Sequence, residues 1–413
     1  MKKVLVLCAM ILSGLSLMAE GYQVNMQSQR QTGMGHTGTG LLLGASSMHF
    51  NPGALGFLES NYEFSAGMSG VFSKNTFQKA TPSIYETSSD NPMGTPFYFY
   101  GASRINEKMV VGLSVTSPYG NSLSWGNDWD GRYLIQDIAL KAIFIQPTLS
   151  YQFNEKLSIG AGFVAAYGSV DLNKAIPMQA GTGIANDGNV NLTGDTWSYG
   201  YHAGVTFRAT EKFTLGLDYR SKIVMKMEAG EANFNVPDVL KSDAAFPEEN
   251  TFDAELPMPT NITLGMGYQL NEKWLLAADL QYVGWSDYES LDFDFANNTP
   301  VLADSENARN YENTLIVRLG TEFTLSPKWQ FRAGAYYDPT PIPENYLTPE
   351  TPGTNKVGLS AGMSWNIIEK LSFDASLLYI HGEKREDGYA DSNFYGTYYS
   401  NAILPGIGLT YTF

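Results

Sequence analysis

Few residues in this 413-residue chain combine the type and the spacing that covalent or redox chemistry needs. Gly33-Met34-Gly35-His36-Thr37-Gly38 matches the glycine spacing of a dinucleotide-binding turn, but no strand-turn-helix unit surrounds it. The glycines at 33, 35, 38, 40 and 44 instead suit a compact segment of tight turns. His36, His49, His202 and His381 show no metal-ligand spacing, and neither a Gly-x-Ser-x-Gly element nor a paired-histidine motif is present. The single cysteine, Cys8, falls in an N-terminal leader. No enzyme activity, metal or cofactor is therefore expected. What remains is binding. Ile176, Met178 and Ile184 interrupt the polar stretch 173–195, and Phe234, Val236, Val239, Leu240 and Phe246 interrupt 229–256. Apolar side chains in solvated loops serve either to capture an apolar ligand or to pack loop on loop. The spacing of Val236, Val239 and Leu240 predicts a short amphipathic helix.

The elements that must position these residues begin with a leader. Lys2 and Lys3, the apolar run Val4 to Leu17, and Met18-Ala19 before Glu20 read as a secretory signal peptide spanning 1–19 and cut after Ala19. The run is too short to span a bilayer as a helix, and no later stretch of that kind follows. Losing Lys2 and Lys3 leaves 24 basic against 42 acidic residues, a net charge of −18. That acidity argues against nucleic acid as a partner. Charged residues are only 16%, with 41 Gly, 25 Tyr and 22 Phe, a composition suited to lipid-facing strands with aromatic girdles.

Six short turns recur: Asn106-Glu107-Lys108, Asn154-Glu155-Lys156, Thr210-Glu211-Lys212, Asn271-Glu272-Lys273, Ser326-Pro327-Lys328 and Ile368-Glu369-Lys370. Each joins two runs of alternating apolar and polar residues. Between them lie long polar segments at 73–95, 118–135, 173–195, 229–256, 289–311, 338–355 and 382–400. Six turns alternating with seven loops join 14 strands. Short turns on one side and long loops on the other predict an all-β fold, a transmembrane antiparallel β-barrel of the bacterial outer membrane over 60–413. The alternation assigns faces: Leu157, Ile159, Ala161 and Phe163 to lipid with Ser158 and Gly160 to the lumen, and Ile407, Leu409, Tyr411 and Phe413 to lipid with Gly408, Thr410 and Thr412 to the lumen. His202 falls on the lumen face. Pro147 lies inside the run Ile143 to Phe153, where a closed barrel has no edge to spare, and predicts a bulge. Fourteen strands enclose more room than side chains fill, so 20–59, which is not a long alternating strand, is expected to be an N-terminal plug.

Over nearly the whole mature chain the sequence resembles the FadL-type outer-membrane transporters of long-chain fatty acids and other hydrophobic compounds. The resemblance rests on Gly21-Tyr22-Gln23-Val24-Asn25, the glycines after Arg30, and Asn51-Pro52 with Ala54-Leu55, where Gly53 is inserted into the family's Asn-Pro-Ala plug motif. It continues through Thr116-Ser117-Pro118-Tyr119-Gly120, Tyr219-Arg220-Ser221, Leu256-Pro257, Trp285-Ser286, Phe331-Arg332-Ala333-Gly334, Asp338-Pro339-Thr340-Pro341-Ile342-Pro343 and Tyr379-Ile380-His381-Gly382. The family implies passive uptake. Ligand is captured among the loops and passes to a pocket beside the hatch of Asn51, Pro52, Gly53 and Ala54. It then leaves sideways through a kink in the third strand at Ser117, Pro118, Tyr119 and Gly120. By order along the chain, Lys174 matches a basic residue placed near the fatty-acid carboxylate, and Arg309 lies near where a second one falls. Ile176, Met178, Val236, Val239 and Leu240 are the loop residues offered to the ligand. The implied partners are a hydrophobic small molecule, outer-membrane lipid and the barrel assembly machinery, with the barrel a monomer. The alternative is a surface adhesin or structural antigen on the same barrel without transport.

Overall fold

A strand in hydrocarbon must pair on both edges, and in this chain the ring closes. The computed structural model describes residues 21–81, 84–178, 187–241 and 243–413. The leader, its cleavage site, Glu20 and Ile184 lie outside them. Twenty strands form one antiparallel sheet in 14 crossings. The first crossing is β1 (Tyr62–Ser69) with β2 (Phe72–Lys79), the second β3 (Glu86–Ser88) with β4 (Phe97–Arg104), and the third to sixth are β5 (Met109–Ser124), β6 (Asp137–Gln152), β7 (Leu157–Ile176) and β8 (Gly188–Arg208). The seventh is β9 (Phe213–Arg220) with β10 (Ile223–Asn235), the eighth β11 (Thr251–Met258) with β12 (Asn261–Gln269), the ninth β13 (Trp274–Val283) with β14 (Ser290–Phe295), and the tenth β15 (Ser305–Ala308) with β16 (Thr314–Ser326). The last four are β17 (Trp329–Asp338), β18 (Lys356–Ile368), β19 (Leu371–Tyr389) and β20 (Phe394–Thr412). β20 pairs back on β1 from Glu63↔Thr412 to Ser69↔Gly406, so the sheet is a closed barrel.

All six short turns connect crossings as read. The long polar segments are more regular than read, because β2, β10, β11, β14 and the outer ends of β7, β8, β19 and β20 carry the sheet into them. Above the hydrocarbon a strand's outer face is no longer forced to be apolar, so its period-two signal fades while its hydrogen bonds persist. Within the membrane the assigned faces hold. Phe163, Ile407, Leu409 and Tyr411 point outward and exposed, whereas Ser158 and His202 are fully buried in the lumen. Aromatic pairs ring the outer surface in two bands. Trp274 and Phe323 (4.7 Å) and Tyr62 and Phe413 (5.1 Å) lie by the short turns, and Phe163 and Tyr199 (5.7 Å) and Tyr167 and Trp197 (5.4 Å) lie toward the loops. No helix among the described residues is long and apolar enough to cross a membrane; the crossings are strands.

Pro147 corrects the expected bulge. Ile145↔Ala165 and Thr148↔Gly162 share one register, and the ladder passes over Gln146 and Pro147 without a shift. The missing donor costs rungs rather than an extra residue. Gln146 turns inward instead, its amide donating to Met48 O (2.9 Å) and its oxygen meeting His202 Nδ1 (3.1 Å).

Residues from Gly21 to Leu58 fill the lumen, through two short helices, α1 (Gln29–Thr32) and α2 (Ser47–Phe50), and tight turns. The plug backbone lies directly on the wall at glycines of both: a methyl on Gly216 of the wall would collide with Thr39 O, and one on Gly33 of the plug would sit 2.9 Å from Gly362 Cα. Asn51 is fully buried; its oxygen accepts from Gly53 N (2.9 Å), and its amide donates to Thr39 O (2.9 Å) and to Val205 O in the wall (3.0 Å). Pro52 opens the following 3-10 turn, and Gly53 is required there because a side chain would meet Gly204 O at 2.8 Å. Asp279 accepts from Gly38 N (2.8 Å) and Thr39 N (3.1 Å). At α1, Arg30 grips Glu322 in a two-point contact (3.0 Å each), Arg332 Nε donates to the same carboxylate (2.6 Å), and Arg332 Nη1 reaches Asp374 (3.3 Å).

Removing one member of a buried ion cluster strands its partners' charges, at a cost of roughly 3–5 kcal/mol. Arg30 is about a third exposed, so Glu322→Ala is expected to weaken plug docking toward the low end of that range. Single-channel conductance in planar bilayers should rise. Wild-type conductance would show that other contacts hold the plug.

Candidate functional site

The third crossing breaks away from the second partway up. β4 and β5 pair from Arg104↔Val110 to Tyr98↔Thr116, and Ser117 Oγ then accepts from Phe97 N (2.9 Å). The next backbone bond joining these crossings among the described residues is Asp90 N to Ser124 O (2.8 Å). A register shift between Thr116 and Tyr119 marks the bend on the β6 side as well. Proline at 118 has no N–H to give a ladder, which suits the site. The vacated edge is taken by the plug. Val24 N donates to Pro118 O (2.8 Å), Gly120 N donates to Tyr22 O (3.0 Å), and the Gln27 amide donates to Ser117 O (3.0 Å). The start of the plug is therefore a short strand stitched to the inside of the kink.

Tyr22, Tyr119 and Gly120 also border a cavity of about 350 Å³. Its walls are apolar: Leu140, Ala142, Val170, Leu172, Leu192, Met225, Met227, Phe252, Leu256, Met258, Leu291, Phe293 and Leu302. They come from the fourth to the ninth crossings and from the loop after β14. Tyr22 packs edge-on against Trp285 (5.1 Å), and Tyr288 packs against Tyr311 (4.9 Å). Burial pushes the hydroxyls of Tyr22, Tyr288 and Tyr311 above their ordinary range, so all three stay neutral; Tyr22 donates its proton to Pro257 O.

The polar end of the cavity holds Lys174, Arg309 and Glu350. Arg309 is 4% exposed, its Nη2 lies 3.8 Å from Glu350 Oε1, and its guanidinium sits over the Tyr389 ring at 5.6 Å. Burial works against the Arg309 charge, but the Glu350 carboxylate and a hydrogen bond to the Tyr288 hydroxyl favour it. An apolar chamber of this size with a charged cluster on its wall can hold an amphiphile or a small hydrocarbon.

Lys174 and Arg309 thus meet at one cavity, together with Tyr119 and Gly120. Ile176, Met178, Val236 and Leu240 are buried in the surrounding apolar cluster but do not line the cavity, and Val239 is exposed. The segment expected to be an amphipathic helix is a single 3-10 turn, Asp238–Leu240. Asn51, Pro52, Gly53 and Ala54 lie deeper in the barrel and touch wall rather than cavity. Sequence reasoning missed Glu350, Tyr22, Trp285 and Tyr288. Buried aromatics in the segment after β13 carried the same signal as the loop residues it did single out.

A smaller polar cavity of about 40 Å³ shares Tyr119 and is lined by His36, His49, Asp218, Arg220, Asp279 and Arg318 among others. It is polar and large enough for water. Arg220 donates to His49 O (2.8 Å), and His202 Nε2 contacts Asp218 at 2.7 Å.

The model of a protein family described as "Outer membrane protein transport protein (OMPP1/FadL/TodX)" matches residues 10–413. The chain is 23% identical over 389 residues to a long-chain fatty acid transport protein of Salmonella typhi, covering 88% of each. Its fold is similar to a crystal structure of a Pseudomonas aeruginosa FadL homologue (TM-score 0.84, 20% identity, 95% of this chain and 100% of that one). It is also similar to the P. putida toluene transporter TodX (TM-score 0.72, 17% identity, 96% and 99%).

The plug histidines make docking pH-sensitive. Burial, then Arg318, pushes His36 down to about 3, and burial, then Arg220, pushes His49 well below its usual 6.5. The docked plug therefore binds fewer protons than a released one, and docking is at full strength above about pH 6.5. It weakens as pH falls, by up to ~1.4 kcal/mol per unit per histidine, over a window reaching down to about 3 for His36. Conductance should increase between about pH 7.5 and 4.5, and His36→Gln with His49→Gln should flatten the rise. A pH-independent conductance would contradict this.

Proposed function

The chain belongs to the outer membrane protein transport family (OMPP1/FadL/TodX), and from that premise we propose that it admits hydrophobic molecules, long-chain fatty acids or similar apolar compounds, by passive uptake. It is a β-barrel of the outer membrane, and relatives and structural neighbours bear the names of transporters of fatty acids and of toluene. The observation that carries the reading is an apolar cavity bounded on one side by charge and on another by the plug's first residues where they cover the kinked third crossing.

The proposed route starts among the extracellular loops, whose buried apolar cluster lies around the cavity. The ligand settles in the cavity with its head toward Lys174 and Arg309 and its tail against the methionines and phenylalanines. Withdrawal of Tyr22 to Val24 from Pro118 and Gly120 then opens the wall between the second and third crossings. Lateral departure keeps the ligand's apolar surface out of water, worth ~25 cal/mol per Å². Irregular backbone at this depth is tolerated because it lines a cavity and is paired with the plug. Insertion of the barrel by the assembly machinery, contact with outer-membrane lipid and monomeric function belong to the same proposal.

Two experiments test it. Gln23 and Tyr119 face each other as a bridge whose neighbours make the hydrogen bonds, the arrangement in which Cα atoms lie about 4.5 Å apart and a disulfide fits. In the double variant Gln23→Cys/Tyr119→Cys, oxidation should abolish fatty-acid uptake in a transporter-deficient strain and reduction should restore it. Full uptake by the oxidised protein would exclude exit through the third crossing. For the head group, a charged donor in a partly desolvated pocket contributes ~1.5–3 kcal/mol. Lys174→Ala should therefore weaken fatty-acid binding by roughly ten-fold or more and leave an uncharged hydrocarbon nearly unaffected. Equal loss for both ligands would indicate damaged packing, and no loss for either would remove Lys174 from the site.

A further inference from the structure

Glu350 is the acid that faces Arg309 on the cavity wall, and its surroundings are incomplete in a specific way. The 3.8 Å separation from Arg309 is an attraction without a hydrogen bond. Glu350 Oε2 is buried and has no hydrogen-bond partner, and the same holds for Arg309 Nη1. Buried ion pairs offset their desolvation only when hydrogen bonds complete them, and this pair is not completed. Nor does Arg309 hold the acid in place. The main chain of Glu350 is fixed by the third crossing: its carbonyl accepts from the Asn121 amide (2.9 Å), and the preceding Pro349 carbonyl accepts from Trp125 Nε1 (3.0 Å). Glu350 is also close enough to Lys174 to act on its charge.

We propose that Glu350 sets the head-group selectivity of the cavity: it stands where a ligand carboxylate would stand at Arg309, so that an acidic head is left to Lys174 and neutral hydrophobes are accepted alongside. The inference rests on the transport reading and refines its substrate class. Because the third crossing anchors the acid, it stays in the cavity when a ligand enters. A carboxylate approaching Arg309 then meets a like charge a few ångströms away. A hydrocarbon meets a guanidinium already neutralised and leaves Arg309 with its counter-charge. A hydroxyl or amide head does more, since it donates to the partnerless Oε2 and accepts from the partnerless Nη1. The favoured cargo class is therefore wider than fatty acids and includes long-chain compounds whose heads are neutral and hydrogen-bonding.

The test compares oleate with oleyl alcohol, two ligands with the same tail, at a pH where the acid is ionised, on protein in nanodiscs. Glu350→Gln should tighten oleate by about ten-fold, the size expected from removing a like charge in a partly desolvated site, and leave the alcohol unchanged or weaker. Lys174→Ala should abolish the preference for oleate, and adding Glu350→Gln to it should restore the preference through Arg309. An unchanged oleate-to-alcohol ratio in Glu350→Gln, or a double variant that fails to regain oleate, overturns the proposal. So does Lys174→Ala retaining full oleate preference, a result needing only the native Glu350. If the wild-type protein binds neither ligand, the transport reading falls with it; if it binds both and only the ratios fail to move, the transport reading stands alone.

Discussion

A polypeptide in hydrocarbon has no water to satisfy its amides, and a sheet can meet that demand only by closing on itself. The bond pattern from Glu63↔Thr412 to Ser69↔Gly406 does this, and much of the rest follows from it. Closure at 14 crossings encloses a lumen too wide for side chains alone. Much of the lumen face beside the plug is polar, with Ser158, His202, Asp279 and Glu322 buried there, so whatever fills it must offer polar groups in register with the wall. A chain segment rich in backbone does so better than an apolar core. Thr39 O lies against Gly216, Gly38 N and Thr39 N meet Asp279, and Asn51 bridges plug and wall.

The same demand explains the site. Where the third crossing leaves the second, its backbone would face lipid unpaired unless something else bonded to it. Tyr22 and Val24 provide those bonds from inside, so the plug that fills the lumen also completes the wall. Filling and sealing are one interaction at this point. Tyr22 borders the cavity and makes one of these bonds itself, so in the proposed route a ligand reaches the seal without any longer chain of contacts.

What was legible in the sequence divides along the membrane boundary. Inside it, lipid forces each outward residue to be apolar, and the faces of β7 and β20 follow from the alternation alone. Outside it the constraint lapses, and the outer halves of the seventh to tenth crossings read as polar loops although they are strands. Pro118 and Gly120 were legible as a break because their backbone chemistry is local. Pro147 was misjudged because its consequence depends on Gln146, which found partners in Met48 and His202 from distant parts of the chain. The cavity was the least legible part. Its residues come from nine crossings, the loops between them and the plug, and Glu350 is fixed among them through Asn121 and Trp125, contacts spanning more than 200 residues.

The two main charge clusters show why such a site is recognised by its geometry rather than by its residue types. Arg30, Glu322, Arg332 and Asp374 balance two cations against two acids at 2.6 to 3.3 Å, with each carboxylate hydrogen-bonded, and that cluster fastens the plug. Lys174, Arg309 and Glu350 leave one cation in excess, a 3.8 Å gap and two buried polar atoms without partners. Composition hardly distinguishes the two clusters. The first has nothing left to bond, so adding a ligand there would only cost desolvation. The second keeps its bonding capacity unspent on the wall of an apolar chamber, and the proposed uptake uses that difference: a head group completes the cluster while the tail is buried, so the polar and apolar halves of one molecule are stabilised together.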